Sequence, residues 1–420
     1  MSVPMSDFKV IIAGGSVAGL TLANALERAG VDYVLLEKRD IAPELGFALL
    51  ILPCTTVVHD QLGVSKNYLP PAIPFNIREH WDGRGGLVSR TNEGHLIGER
   101  GKRPLIMIAR SRYLRALRDG IADQSKLRSR EGIVSYEEGP HGVTVTTDKG
   151  NRIEGSLLVG ADGIHSAIRA MMHPTVDTTK QFETTFRVLI GTSFNHDVDN
   201  KEKLLMKEGS TNHTLHPGIF WAMYIPLEKR RPLPDESAEK RSSYSERDIE
   251  EAIAQCGDVH CCAESTFGDL YRSRTATIMV PLEEGVVDLP WSSAGGRVAL
   301  VGDAVHKTTA TLGLGGNAAV DGVCYLTNEL IPLLRRTSQA ARQPTYEKLQ
   351  RPRASYAMNA SYYATRFETL HSWWAWVVKW IYGLLPVGFK VRVFSDFNGS
   401  APVFDWLPHP DAAAEGKKEQ

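Results

Sequence analysis

KVIIAGGSVAGLTLANALERAGVDYVLLE, Lys9 to Glu37, is the stretch that decides the fold. It opens on KVIIA, an apolar run of the length and composition of a buried strand. Gly14, Gly15 and Ser16 then form a turn, and Val17, Leu20, Leu22, Ala23 and Leu26 recur with helical spacing over Ser16 to Arg28. Gly30 stands where a helix C-cap is expected, and YVLLE (33–37) is the next strand. This is a βαβ unit, and its turn carries Gly14, Ser16 and Gly19 at the three positions of a G-x-G-x-x-G fingerprint. The first glycine permits the tight turn and the last lets helix and sheet pack closely. The middle position lets backbone approach a pyrophosphate at the helix N-terminus, and serine there is small with a hydroxyl that can donate. Glu37 lies where a carboxylate takes ribose hydroxyls, which favours FAD or NAD over NADP at this point.

Working outward, two further motifs follow. LLVGADGIHSAIR (Leu157 to Arg169) sets Asp162 after an apolar strand, and GRVALVGDAVHKTTATLGLGGN (Gly296 to Asn317) sets Asp303 after another. A nicotinamide enzyme needs only the first fingerprint. Three in this order describe one large dinucleotide gripped at three points.

The remaining chain sets the frame. At 420 residues, two intimately joined domains are expected. With 48 basic against 49 acidic residues and no basic run, nucleic acid is excluded as a partner. Five cysteines without scaffold spacing fit a reducing compartment, hence a cytoplasmic protein. In CGDVHCC, the side chains of Cys256, His260, Cys261 and Cys262 could donate to a metal, but the spacing fits no zinc pattern, so no metal is expected. MSVPMSDFKV has no apolar run ahead of the first strand, which argues against a secretory signal.

The expected fold class is α/β: a three-layer Rossmann-like dinucleotide-binding domain, which the resemblance given below makes an FAD-binding domain, an inserted substrate domain on a mostly antiparallel sheet, and C-terminal helices. Residues 1–75, 105–180 and 284–365 are assigned to the dinucleotide-binding domain, and 76–104 and 181–283 to the substrate domain. Within these, 105–119 read as a strand and a basic helix buried through Tyr113, Leu114 and Leu117, GVTVTT (142–147) as a hairpin strand, and SERD (245–248) as a helix start. EKRRPLPDESAEKRSS reads as a mobile surface loop. The last segment, 366–420, holds Trp373, Trp374, Trp376 and Trp380 within HSWWAWVVKWIYGLLPVGF (371–389). That run has two readings: a helix packed on the body of the protein, or shallow monotopic contact with a membrane.

The three motifs together resemble the group A flavoprotein monooxygenases, the aromatic-hydroxylase family, over residues 8 to about 330. GGSVAGL, GADGIHSAIR and the His-Lys after Gly-Asp-Ala are most similar to its fungal branch, which epoxidises or hydroxylates terpenoid and indole-alkaloid intermediates. The resemblance implies bound FAD: Gly14, Ser16 and Gly19 on the diphosphate, Glu37 on the adenosine ribose, and Lys38 and Gly46 beside them. It implies that Arg110 reaches the flavin, that Asp162 serves pyrophosphate binding and reductant docking, and that Asp303 holds the ribityl chain. Gly313, Gly315, Gly316 and Asn317 would line the isoalloxazine, and Arg187 would be a catalytic cation facing it. For Arg187 an edge-strand salt bridge is the competing reading, and His306 reads as a structural hydrogen bond rather than a base.

Function follows from the same resemblance. The substrate is an apolar polycyclic small molecule, the co-substrates are O2 and transiently docked NADPH or NADH, and the oxidant is a flavin C4a-hydroperoxide. Monomer or dimer is the expected assembly. Ala310 and Leu314 depart from the family's usual proline and polar residue, which predicts a looser, more apolar loop beside the flavin. Two rivals share the fold. One is a redox-neutral cyclase; the other is a halogenase, for which WAMYIP (221–226) is a partial match.

Overall fold

The structure, a computed structural model, describes residues 7–44, 48–69, 72–194, 203–207, 210–215, 218–232, 244–335, 345–369 and 373–412. Its centre is a five-stranded parallel sheet. The strands run 298–300, 157–160, Lys9–Ala13, Asp32–Glu37 and 127–129 in spatial order. The strands are short, and all but the edge strand 127–129 are largely apolar because helices and strands cover both faces. Val10, Ile11, Ile12, Leu35, Val159 and Leu300 are fully buried in the largest core cluster.

One face carries the helices Val17–Ala29 and Leu314–Leu334, which pack on each other. Gly30 ends the first of them in the left-handed conformation, φ 73°. The other face carries the antiparallel sheet of strands Ile133–Glu138, Val143–Thr147 and Arg152–Gly155. The result is the three-layer α/β arrangement. Strand Lys9–Ala13 lies between partners reached in opposite directions along the sheet, which is the switch point where such sheets open a crevice.

A second sheet stands beyond that crevice. Its eight strands run 306–307, Arg274–Val286, Glu183–Phe194, Gly218–Pro232, 210–215, 203–207, Ile77–Trp81 and Leu87–Thr91 in spatial order. All neighbours are antiparallel except 203–207 with Ile77–Trp81. The polar stretch read as a loop begins later than expected: its first residues continue strand Gly218–Pro232, with Glu183 opposite Pro232. Residues 233–243 fall outside the described residues. Alternation splits this sheet into two apolar faces. Phe186, Val188, Phe220, Ala222 and Tyr224 form one cluster. Leu189, Trp221 and Met223 form the other, against the helices Glu246–Cys256 and Phe267–Arg272. Ser245 opens the former helix with a capping box to Asp248.

The chain ends in helices Tyr346–Glu368, Trp373–Leu384 and Val387–Gly399. Two buried ion pairs anchor them. Arg353 reaches Asp321 at 2.6 Å, and Arg366 reaches Glu284 at 2.7 Å, with Thr185 bonded to the same carboxylate. The second pair joins the C-terminal helices to the eight-stranded sheet.

Candidate active site

The two carboxylates at the ends of the sequence argument share one space. Glu37 and Asp303, with Gly14, Ser16, Lys38, Arg110 and Asp162, line a single cavity of about 1010 Å3. Gly313, Gly315 and Gly316 border the same cavity, and Val188, Ile190, Phe220 and Ala222 wall it from the second sheet.

The first turn is built around close approaches. Gly14 has φ 111°, and a Cβ there would stand 2.4 Å from the Ala161 carbonyl oxygen. Only glycine lets the first and second motifs meet at this point. Gly19 is equally constrained, since a Cβ would come within 1.9 Å of the Gly14 carbonyl oxygen. It packs the helix onto the turn and does not border the cavity, so its part in cofactor binding is indirect. The Glu37 carboxylate accepts from the Gly15 amide at 2.7 Å and from the Arg39 amide at 2.9 Å, which orients it at the turn.

Arg110 connects the ends. Its guanidinium donates to the Ser16 hydroxyl at 2.9 Å. Burial lowers its pKa, while Asp303 and then Glu37 act in the opposite sense, so it sits in the field of both carboxylates. Asp303 in turn accepts from Lys307 at 2.5 Å. Burial would pull that ammonium down, but Asp303 and Glu283 outweigh it and hold it above the ordinary lysine value. Asp162 borders the cavity yet spends its carboxylate on local structure, accepting from the Ser166 hydroxyl at 2.5 Å and the Ile168 amide at 3.1 Å. Burial raises its pKa.

These residues fit FAD on three observations. Helices Val17–Ala29 and Leu314–Leu334 both begin at the cavity with no side-chain cap, leaving their first amides for a ligand. A Cβ on Gly316 would meet nothing within 4 Å, so the glycine opens space there. The buried Thr308 hydroxyl, also on the wall, has no hydrogen-bond partner. Lys307, Thr308 and Gly15 were absent from the residues predicted for the cofactor. The His-Lys after Gly-Asp-Ala was the signal for the first of them.

Three further placements differ from expectation. Asn317 is buried off the cavity, where its side chain bonds the Leu52 amide, the Thr55 hydroxyl, and the Leu50 and Gly313 carbonyls. It fastens the glycine loop rather than touching a ring. Leu314 is 2 % exposed and packs with Leu52, Phe75, Ile97 and Leu105, so its apolar character serves the core. Ala310 does border the cavity. Arg187 is corrected: it alternates with Phe186 and Val188, and so points to the sheet's far face. There it lies 5.7 Å over the Tyr244 ring and adds to the lowering of the Asp248 carboxyl, which comes chiefly from the Ser245 hydrogen bonds. Gly46 lies outside the described residues.

His306 is fully buried, 3.2 Å from the Gln350 amide nitrogen, and desolvation lowers its pKa to about 4. Trp221 of the WAMYIP stretch is buried on the far face with its indole on Ser193, away from the cavity. In CGDVHCC, the Cys261 thiol contacts the Ser265 carbonyl, and among the described residues no cluster of three or more potential ligands could hold a metal.

A family model described as FAD binding domain matches residues 7–361. The chain belongs to that family. It is 29% identical over 436 residues to the FAD-dependent monooxygenase janM of Penicillium janthinellum, an alignment covering 98% of this chain and 88% of the relative. It is 30% identical over 444 residues to the FAD-dependent monooxygenase dpasE of Apiospora sacchari, covering 97% and 89%. The solved structure of HpxO from Klebsiella pneumoniae, complexed with FAD and uric acid, shares the fold with a TM-score of 0.75 at 21% identity, covering 94% of this chain and 97% of that one. As a member of the FAD-binding-domain family the protein is a flavoprotein monooxygenase, and FAD is its cofactor.

Proposed function

We propose that this monooxygenase inserts one oxygen atom of O2 into an apolar polycyclic natural product, with NADPH or NADH as reductant. One observation carries the reading: the cavity that holds the FAD-binding residues continues without a partition into a chamber walled by Val188, Ile190, Phe220, Leu105 and Met107. An apolar chamber of that kind suits a substrate with little charge and keeps water from the reacting atoms. When bound, FAD supplies the redox chemistry, taking electrons from the nicotinamide and passing them to O2.

The chain's own residues bind, orient and exclude water. The uncapped helix starts and Arg110 favour the diphosphate, and Glu37 and Asp303 favour hydroxyl groups at opposite ends of the cofactor. Lys307 and the start of helix Leu314–Leu334 steady negative charge developing between the two halves of the cavity.

The test is anaerobic photometry followed by product mass. NAD(P)H should bleach the bound flavin fastest when a polycyclic terpenoid or prenylated indole is present, and 18O2 should leave one heavy oxygen atom in the product. A product of unchanged mass would replace this reading with a redox-neutral one.

A membrane surface is proposed as the resting place of the C-terminal helices. Trp373 is 81% exposed, Val377, Ile381 and Leu384 share its face of the helix, and Val378 is exposed beside them. The side chains of Trp376, Lys379 and Trp380 lie outside the described residues. No described helix is long and apolar enough to cross a membrane, so the contact is shallow. Flotation with phosphatidylcholine vesicles checks this: the protein should float, and Trp373→Ser with Leu384→Ser should sediment.

A further inference from the structure

Two sets of polar groups stand at separate places on the cavity wall. One is the Arg110, Glu37, Asp303 and Lys307 set of the FAD-binding elements. The other stands among apolar residues: Arg78 on strand Ile77–Trp81, Glu93 at the start of helix Glu93–Arg100, and Tyr382 on the C-terminal helix. After burial, Tyr382 is perturbed by Glu93, Arg78 and Glu368.

The second set costs stability unless it has work to do. Arg78 and Glu93 are 18% and 10% exposed and meet at 3.3 Å, longer than a strong charge-assisted bond. The Arg78 Nε is buried with no hydrogen-bond partner. A pair so desolvated is often replaceable by apolar residues of similar size without loss. Leu50, Phe75, Ile97 and Leu105 around it show that apolar side chains fit here. Tyr382 is held by Lys390, 4.4 Å over its ring, and by Phe367 at its edge. Burial, then Glu93, push its hydroxyl up to about 12, so it remains a donor near neutral pH.

Resting on the monooxygenase reading above, we propose that Arg78, Glu93 and Tyr382 form the subsite that orients the substrate by one uncharged oxygen, a hydroxyl or a carbonyl. Arg78 and Tyr382 supply donors and Glu93 an acceptor. Glu93 already pairs with Arg78, and Lys390 is engaged over the Tyr382 ring, so a carboxylate ligand meets the repulsion of Glu93 where a neutral oxygen does not. The substrate is thus an apolar polycycle carrying a neutral oxygen function, docked by it at the wall formed by strand Ile77–Trp81 and helix Trp373–Leu384.

The experiment uses the FAD-loaded full chain and three probes of one shape: fluorene, fluorenone and fluorene-9-carboxylate. Binding is read as a change in the bound-flavin absorbance. Fluorenone should bind at least about tenfold more tightly than fluorene, the worth of one hydrogen bond to a charged group. The carboxylate should bind no better than fluorene. Arg78→Leu and Tyr382→Phe should each shrink the ketone preference by about threefold or more. The flavin spectrum reports whether each variant is folded; if Arg78→Leu is not, the milder Tyr382→Phe carries the comparison. Absence of a ketone preference in the wild type, including failure of fluorenone to bind, overturns the subsite. So does a preference untouched by the variants. Failure of the wild type to hold FAD would instead overturn the monooxygenase reading.

Discussion

The two halves of the cavity are made from different materials. The half bordered by the parallel sheet is mostly backbone and glycine: Gly14, Gly313, Gly315 and Gly316, two uncapped helix starts, and a few charges that reach across from separate motifs. The half bordered by the eight-stranded sheet is side chain: Val188, Ile190, Phe220 and Ala222, closed by Phe75, Tyr382 and Phe394 from other elements. Backbone geometry tolerates no substitution where a Cβ would collide, whereas an apolar wall can be repacked by many residues of similar volume. The first half therefore resists substitution at those glycines, and the second can change shape by repacking.

The sharpest way to break that contrast is at Gly14. Gly14→Ala places a Cβ against the Ala161 carbonyl and forces φ 111° on a residue that resists it. We expect FAD affinity to fall by more than about a hundredfold, or the protein to purify colourless, as a few kcal/mol of strain and clash imply. Flavin content per chain measures it, and a yellow variant with normal affinity would refute the backbone account.

The next effect belongs to the other half. Arg366→Ala leaves Glu284 buried and unpaired at the joint between sheet and C-terminal helices. Loss of one partner of such a pair costs about 3–5 kcal/mol. Thermal unfolding should show a drop of several degrees, and substrate-stimulated oxidation of the nicotinamide reductant, NADPH or NADH, should suffer more than flavin content. Equal loss of both would mean the halves are not separable.

Acid should act on the FAD-binding half. His59 is fully buried between Tyr68 and Tyr113, and desolvation lowers its pKa to about 3; His306 is lowered to about 4. A depressed folded-state pKa means that the unfolded chain takes the proton first. The stability these neutral rings hold is present above about pH 6.5 and is lost as pH falls toward the folded values. Each contributes a slope of about 1.4 kcal/mol per pH unit across that window. Urea unfolding at pH 7, 6 and 5 should give His59→Gln a slope shallower by about one proton, and parallel curves would contradict the burial of a neutral ring.

The smallest effect is expected at Lys307, which is partly exposed. Lys307→Met should weaken FAD by about tenfold in dilute buffer and by less at high salt, because solvent screens the charge. Titration of the apoprotein at two ionic strengths measures it.

Much of the first half was legible in the sequence because its constraints are local. A strand must be apolar, a turn needs glycine, and a carboxylate at the end of the next strand lies a known distance away, so Glu37 and Asp303 could be assigned to one cofactor before their positions were known. The second half was legible only as a strand-rich block. Arg187 was misplaced because a strand's two faces alternate, and the bulge between Thr184 and Phe186 changes which residues face the cavity. Asn317 and Leu314 sit among the flavin glycines in the sequence, yet helix geometry turns them into the core. Arg78, Glu93 and Tyr382 carry no motif and are separated by as much as 304 positions, as their numbers 78 and 382 show.

By itself, the order of residues determined the dinucleotide-binding architecture, the family and the cofactor, because these depend on short-range backbone rules repeated at three places. Only the tertiary structure decided which side chains face the apolar half of the cavity, that the C-terminal helices help to close it, and that Arg187 turns away. Those outcomes depend on strand register and on packing between segments far apart in the chain, neither of which leaves a periodic mark in one sequence.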